Sequence, residues 1–502
     1  MEFIDKLKSK INNLDFIMVT GSTVFCAGMS FLYSVLAKRY IGTLDYGIYS
    51  TCLLLQTYLN YVQFGVYNAY NRDMPRLMGG QEIEESRRLK ETTLTFMWLV
   101  YAGAGILAAA VLFIMRATGS FEQFVLALNG HDAAILAEAG VTDKYFIGFI
   151  LVLFVVILEN TASFSLSTSK IYGRFNYSAF ANVLKTLIAF PVALIGAIHW
   201  GYYGLYLMPL SSAVLMIILY YRDGVKGIRL KIDRAILKNS IVTGIPLMID
   251  SLIWTIMQSV DKFVILIFMT TEDLGLYTVP LLGFTTMVLV PQTISNVFYI
   301  KISNEYGAHH DLSRMMRLCN KYTRINSLCT SAVAVVCFYA LPILVQLVMP
   351  MYVEGTFPAQ VLLIGVAIYG SAMLYSNIFS VMKWNMDLVI NSVILCVCNI
   401  IFSSGMVLIF GREIQNVALG TSISYAAYSL LMLIKLSRRT DMKTKDFLTA
   451  SWIPILMVIV PAVLLYYILP NIYIAFAITL VILAAEAVYV YKTLIAGTNE
   501  DI

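Results

Sequence analysis

Between Gly244 and Tyr277 the chain reads GIPLMIDSLIWTIMQSVDKFVILIFMTTEDLGLY. This stretch is long and apolar enough to cross a bilayer, since a helix spans about 30 Å of hydrocarbon with roughly 20 residues. Yet Asp250, Gln258, Asp261 and Lys262 stand inside it. At about 100° per residue, Asp250, Trp254, Gln258 and Asp261 stack on one narrow face, with Ser251, Thr255 and Lys262 beside them. A charge in hydrocarbon is costly unless it meets water or an opposite charge, so the stripe lines a helix seam or a watery path. Lys262 admits two uses. It pairs with Asp261 or Asp250 in helix packing, or it offers a point charge to an anion. Asp250 is the best single candidate for carrying a proton.

Other polar residues fall in comparable settings. Gln56, Asn60, Gln63 and Tyr67 follow at steps of four, three and four, and Gln292, Asn296 and Tyr299 repeat the pattern further on. An amide facing lipid leaves donors and acceptors unmet, so both stripes turn inward. Interhelical hydrogen bonding is their plain use. Planar amides beside the aromatic faces of Tyr67, Tyr70, Trp254 and Tyr299 would also suit a sugar. Glu159 and Lys185 lie about 13 Å from the hairpin that joins their spans, which fits an ion pair or a proton-coupled switch. Lys38 and Arg39 end the first span, where they snorkel to the interface or border a path. Glu486 falls near an interface in the last span and needs no special role. Neither the four histidines nor the seven cysteines are spaced as metal ligands or as a catalytic pair. No cofactor is expected.

The elements that carry these residues are transmembrane helices. Apolar residues make up 59% of the 502 and charged ones 13%, and no 100-residue interval lacks a spanning run, which leaves no room for a sizeable soluble domain. The runs predict an all-α, polytopic chain of about 14 spans. These lie near 14–37, 46–70, 92–115, 145–168, 177–198, 202–221, 241–270, 277–300, 322–349, 357–382, 388–410, 416–436, 452–469 and 472–494. Of the 35 Lys and Arg, only Lys38, Arg39, Arg116, Lys144 and Arg412 fall in loops on one side, and Lys185 and Lys262 lie within spans. The rest fall on the other side, which the positive-inside rule makes cytoplasmic together with both termini. The net charge of +5 comes largely from those loops and does not argue for nucleic acid binding. The longest outer loop, 116–144, has room for a short amphipathic helix.

An internal repeat divides the chain. Tyr46-Gly47-Ile48-Tyr49 opens the second span, and Leu274-Gly275-Leu276-Tyr277 opens the eighth. A polar stripe follows each. The expected organisation is an N-terminal lobe of six helices over 1–221, a cytoplasmic connector over 222–240, a C-terminal lobe of six over 241–450, and two further helices over 451–502. Six is even, so the two halves form a parallel repeat, and in that architecture a substrate site lies between them.

Ala37-Lys38-Arg39-Tyr40-Ile41-Gly42-Thr43-Leu44-Asp45-Tyr46-Gly47-Ile48-Tyr49 resembles the opening of bacterial polysaccharide flippases. Gly244-Ile245-Pro246, Asp261-Lys262-Phe263 and Gly275-Leu276-Tyr277 resemble the same family's second half. These are lipid-linked oligosaccharide flippases of the O-antigen and exopolysaccharide type. Their superfamily also holds multidrug and toxin extrusion proteins and the lipid II flippase. The resemblance implies a transporter of the bacterial cytoplasmic membrane, not an enzyme. It would act by alternating access on an undecaprenyl-pyrophosphate-linked oligosaccharide, with membrane lipids around it and protons or sodium as a coupling ion. A multidrug or cation antiporter of the same superfamily is the alternative, and an integral-membrane polymerase or acyltransferase a more distant one. On this reading Lys262 holds the anionic cargo with help from Arg39.

The orientation predicts that an external thiol reagent will modify cysteines placed at Glu354 or Arg412 and miss those at Ile228 or Thr440. Labelling of Thr440→Cys from outside would invert the topology.

Overall fold

The computed structural model describes residues 2–130, 140–440 and 442–498, the side chains of residues 2–17, 20, 250, 300, 385 and 493–498 excepted. Among the described residues every regular element is helical. Besides short helical turns at Gly201–Tyr206, Tyr221–Gly224 and Pro350–Gly355, these are in chain order α1 (Glu2–Tyr40), α2 (Thr43–Leu59), α3 (Val66–Gly79), α4 (Ile83–Ala117), α5 (Ser120–Leu128), α6 (Val141–Ile171), α7 (Phe175–Trp200) and α8 (Leu207–Leu219). Then follow α9 (Arg234–Phe268), α10 (Thr271–His309), α11 (Leu312–Val348), α12 (Thr356–Val381), α13 (Asn385–Phe410), α14 (Ile414–Arg439), α15 (Thr444–Ile468) and α16 (Ile472–Thr498). Eleven stretches among the described residues are long and apolar enough to cross a membrane, and one of them, Phe175–Leu219, holds two helices. With α1 and the α2–α3 pair they account for the expected spans of a polytopic membrane protein.

Contacts divide the chain into two compact units, Met1–Thr255 with Thr270–Gly275, and Ile256–Met269 with Leu276–Ile502. The division falls inside α9, so that helix contributes residues to both.

The core of the first unit is rich in tyrosine. Tyr145, Tyr202 and Tyr206 are buried beside Cys52. Their hydroxyls are paired: Tyr202 donates to the Lys144 carbonyl at 2.9 Å and lies 2.7 Å from the Tyr206 hydroxyl. Burying a phenol is favourable only when its O–H finds such a partner. Three consecutive residues of α4 fasten the segment that leads into α9. Lys90 donates to the Asp223 carbonyl, Glu91 accepts from the Arg229 N–H at 3.4 Å, and Thr92 accepts from the Asp233 N–H at 3.1 Å. Asp233 in turn caps α9, accepting from the N–H groups of Ala235 and Ile236.

The span expected at 46–70 is not one helix. It breaks between Asn60 and Gly65, where Phe64 has φ +51° and Gly65 φ +75°. A bulky side chain at positive φ costs about 1–3 kcal/mol and persists only where its surroundings impose it. Here they do. The backbones of Gly65 and Gly244 approach so closely that a Cβ on either would strike the other's carbonyl. The freed backbone groups are recovered by short-range bonds, from the Val62 N–H to the Leu59 carbonyl and from the Val66 N–H to the Gln63 carbonyl, both 3.1 Å. Non-helical backbone inside a span needs such internal partners.

In the second unit α15 and α16 pack on α11, where Phe338 and Tyr339 meet Val458, Ala462 and Ala475. The Tyr339 hydroxyl donates to the Ala462 carbonyl at 2.8 Å. α11 meets α12 through Asn326, whose Nδ2 donates to the Gly370 carbonyl at 2.8 Å.

Gly65→Ala is predicted to lower thermal stability in detergent by about 2 kcal/mol or more, from strain at positive φ plus the clash. Gly103→Ala, in an open helical position, should leave stability unchanged or raise it by up to about 1 kcal/mol. Equal melting of the two variants would contradict the imposed break.

Candidate functional site

In the second unit a cavity of about 110 Å³ opens beside α9. Gln258, Asp261 and Lys262 come to it from α9, Phe284 and Thr285 from α10, and Tyr425 from α14. The Tyr425 ring stacks on Phe284 at 6.1 Å between centroids and meets Tyr369 at 5.1 Å, so one wall is a continuous aromatic surface.

The two consecutive charges take different surroundings. Asp261 is buried, and neutral donors converge on its carboxylate. Oδ1 accepts from Asn399 Nδ2 at 3.0 Å and from Thr421 Oγ1 at 2.7 Å, and Oδ2 accepts from the Tyr277 hydroxyl at 2.8 Å. Ser403 steadies this shell by donating to Asn399 Oδ1 at 2.8 Å. α9, α10, α13 and α14 thus meet on one carboxylate. Such donors satisfy both carboxyl oxygens in a site that water hardly reaches. Lys262, one residue on, is partly exposed at the cavity. Among the described residues it has no hydrogen bond and no ion pair within 4 Å. Its donors remain available to a ligand, and the neighbouring carboxylate balances the ammonium electrostatically. An ammonium beside an amide, a hydroxyl and aromatic faces can hold an anionic group flanked by hydroxyls.

Apart from Gln258, the remaining predicted residues are dispersed. Gln258, Gln292, Asn296 and Tyr299 are exposed along α9 and α10, as is Trp254. The side chain of Asp250 lies outside the described residues. The stripe on the second span is divided by the helix break, and its two glutamines are buried. Gln56 donates to Glu159 Oε2 at 2.5 Å, and Gln63 accepts the Tyr67 N–H at 2.7 Å. Asn60 accepts from Asn160 Nδ2 at 2.8 Å. The Tyr67 hydroxyl donates to the Ser163 carbonyl at 3.0 Å, and that of Tyr70 pairs with Thr168 at 2.7 Å. Among the described residues Glu159 forms no ion pair within 4 Å; Gln56 donates to it, and Lys185 interacts with it electrostatically from further off. Lys38 is buried, donates to Ser34 Oγ at 2.9 Å, and sits 4.1 Å above the Tyr46 ring. Arg39 is exposed, and Glu486 is buried.

Sequence reasoning overlooked Tyr277, Asn399, Ser403, Thr421 and Tyr425. Asn399, Ser403 and Thr421 are polar residues inside apolar runs, a signal of an inward face. Nothing in their spacing ties them to Asp261, from which more than a hundred residues separate them.

The fold has known counterparts. A lipid II flippase, MurJ, in its inward closed conformation superposes with a TM-score of 0.71 at 15% identity, over 95% of this chain and 100% of its own. An inward-facing multidrug resistance transporter of the MATE family, in the MOP superfamily, gives a TM-score of 0.62 at 14% identity, over 81% and 94%. A MOP superfamily transporter from Pyrococcus furiosus gives 0.54 at 14% identity, over 85% and 95%. No curated protein sequence matches the chain significantly. Residues 133–352 match the family described as "Polysaccharide biosynthesis protein". The chain is thus a polytopic membrane protein with the fold shared by MurJ and the MATE transporters, and its residues 133–352 are similar to a polysaccharide-biosynthesis family.

Proposed function

We propose that the protein is a transporter that moves a polyprenyl-pyrophosphate-linked oligosaccharide across the cytoplasmic membrane by alternating access, with both termini cytoplasmic and without enzymatic chemistry. The observation that carries this reading is Lys262, an ammonium without an ion-pair partner within 4 Å among the described residues, on a cavity it shares with Gln258, Thr285, Phe284 and Tyr425. A phosphate group cannot enter hydrocarbon bare, so its path needs fixed positive charge. A single lysine with neutral hydrogen-bonding neighbours releases such a group more readily than a dense arginine cage would. The size of the cavity suits one anionic group and its nearest hydroxyls, with the rest of the cargo outside it. A drug or cation antiporter would want a free carboxylate on the cavity and the ammonium elsewhere, whereas here the carboxylate that borders it is bonded to Asn399, Thr421 and Tyr277. The family segment and the flippase-like fold support the same reading.

Lys262→Ala is expected to reduce surface-glycan export per inserted molecule by about tenfold or more, a loss of at least ~1.4 kcal/mol. Lys262→Arg should retain a measurable part, and Lys262→Gln should behave as Ala. Glycan output is measured beside the amount of protein in the membrane. Normal export by Lys262→Ala, or failure explained wholly by lost protein, would remove the anion site from Lys262.

A further inference from the structure

Within the first unit, the segment that leads into α9 has a composition and a shape unusual for a loop in water. Lys226-Gly227-Ile228-Arg229-Leu230-Lys231-Ile232-Asp233 alternates large apolar side chains with charged ones, and residues 228–233 form no helix. Ile228 packs on the tyrosine-rich core. Leu230, by contrast, is 71% exposed and Ile232 37%. The Lys231 N–H donates to the Arg229 carbonyl at 2.8 Å, which closes a three-residue turn with Leu230 at its apex. A solvated turn ordinarily carries Gly, Asn, Asp or Ser at such a place.

The apex is held at one depth. On either side of it the Arg229 and Asp233 N–H groups are bonded to Glu91 and Thr92 of α4. α4 changes character at that level: Glu91 is its last charged residue before Arg116, and the residues between form a spanning run. Leu230 and Ile232 are therefore presented where water gives way to hydrocarbon. These bonds use the backbone and leave the basic side chains free. Arg222, Lys226, Arg229, Lys231, Arg234 and Lys238 are all exposed, and among the described residues none of them forms an ion pair within 4 Å. The neighbouring carboxylates are engaged elsewhere. Asp223 pairs with Arg174 at 2.7 Å, Glu91 pairs with Arg87 at 3.1 Å, and Asp233 caps α9.

We propose that residues 226–238 form a binding surface for anionic phospholipid headgroups, in which Leu230 and Ile232 enter the acyl boundary while Lys226, Arg229, Lys231 and Arg234 hold lipid phosphates. Apolar insertion or basic charge alone gives weak attachment, and the two together make it firm. The loop charges put this side in the cytoplasm, where a negatively charged leaflet attracts such a cluster. Phosphatidylcholine carries its own cation beside its phosphate, so the surface favours phosphatidylglycerol over it. A lipid surface fits better than a soluble partner, because the ties to α4 fix the apex at the membrane boundary. Headgroup binding here is independent of the cargo.

In the test, Leu230→Cys in the full-length protein carries an apolar fluorophore that stands in for the leucine, and the signal from the chain without this cysteine is subtracted. The protein is placed in vesicles of phosphatidylcholine alone or mixed with phosphatidylglycerol, each with a trace of lipid bearing a quencher near its glycerol. Quenching should be about twofold or more stronger with phosphatidylglycerol present, and about 0.5 M salt should remove at least half of that excess. Arg229→Gln with Lys231→Gln, added to the same chain, should remove it as well. Equal quenching in the two kinds of vesicle overturns the anionic site. So does the absence of quenching in both, which leaves Leu230 in water. An excess that survives both salt and the double substitution places the anionic lipid elsewhere and overturns the assignment. The lipid and salt comparisons use the native basic side chains, so they decide the matter even if the doubly substituted chain fails to fold.

Discussion

Hydrocarbon offers no hydrogen bonds, and this requirement shapes each feature of the protein that is not simply an apolar helix. A carboxylate such as Asp261 can stay within a span only if the bundle supplies its solvation. Asn399, Thr421 and Tyr277 do so, and in doing so they draw four helices onto one point. The same requirement explains the consecutive polar residues of α6. Glu159 accepts from Gln56, Asn160 donates to Asn60 and accepts from Tyr101, and Thr161 accepts from Trp98. This layer secures the last turns of α2 just before the chain abandons helical geometry.

With its oxygens bonded to neutral groups of α10, α13 and α14, Asp261 leaves Lys262 without a carboxylate bonded to it. The two residues adjoin in sequence but point about 100° apart on the helix. Both border the cavity, but Asp261 is bonded into the seam among α10, α13 and α14 and Lys262 is not. The arrangement places a cation on a small wet surface while keeping its counter-charge close and dry. An ammonium without a bonded carboxylate keeps more of its donors for other partners than one already paired would.

Glycine gives the helices their second kind of contact. Gly65 against Gly244 and Gly47 against Thr271 bring backbones together where side chains would hold them apart. Such contacts depend on shape more than on buried apolar area. They differ in this from the large aromatic core around Tyr145, Tyr202 and Tyr206. The polar ties from α4 to the start of α9 serve the opposite end, making that start an extension of the first unit.

The apolar runs determined by themselves that the chain is all-helical and polytopic, because a segment of about 20 apolar residues has no soluble alternative of comparable stability. The run from Gly244 to Tyr277 also showed that charge had been placed on one face of a spanning helix, since periodicity alone assigns faces. Periodicity misjudged the second span. Gln56, Asn60, Gln63 and Tyr67 read as one stripe, but the left-handed backbone at Phe64 and Gly65 is imposed by Gly244, a contact that no local pattern contains. The hydrogen bond from Gln56 to Glu159 was equally hidden, since depth pointed to Lys185 and said nothing of Gln56. Only the tertiary structure decided that Asp261 would be enclosed and Lys262 left at the cavity, because the donors that enclose Asp261 come from α10, α13 and α14, and long-range packing alone brings those helices to it.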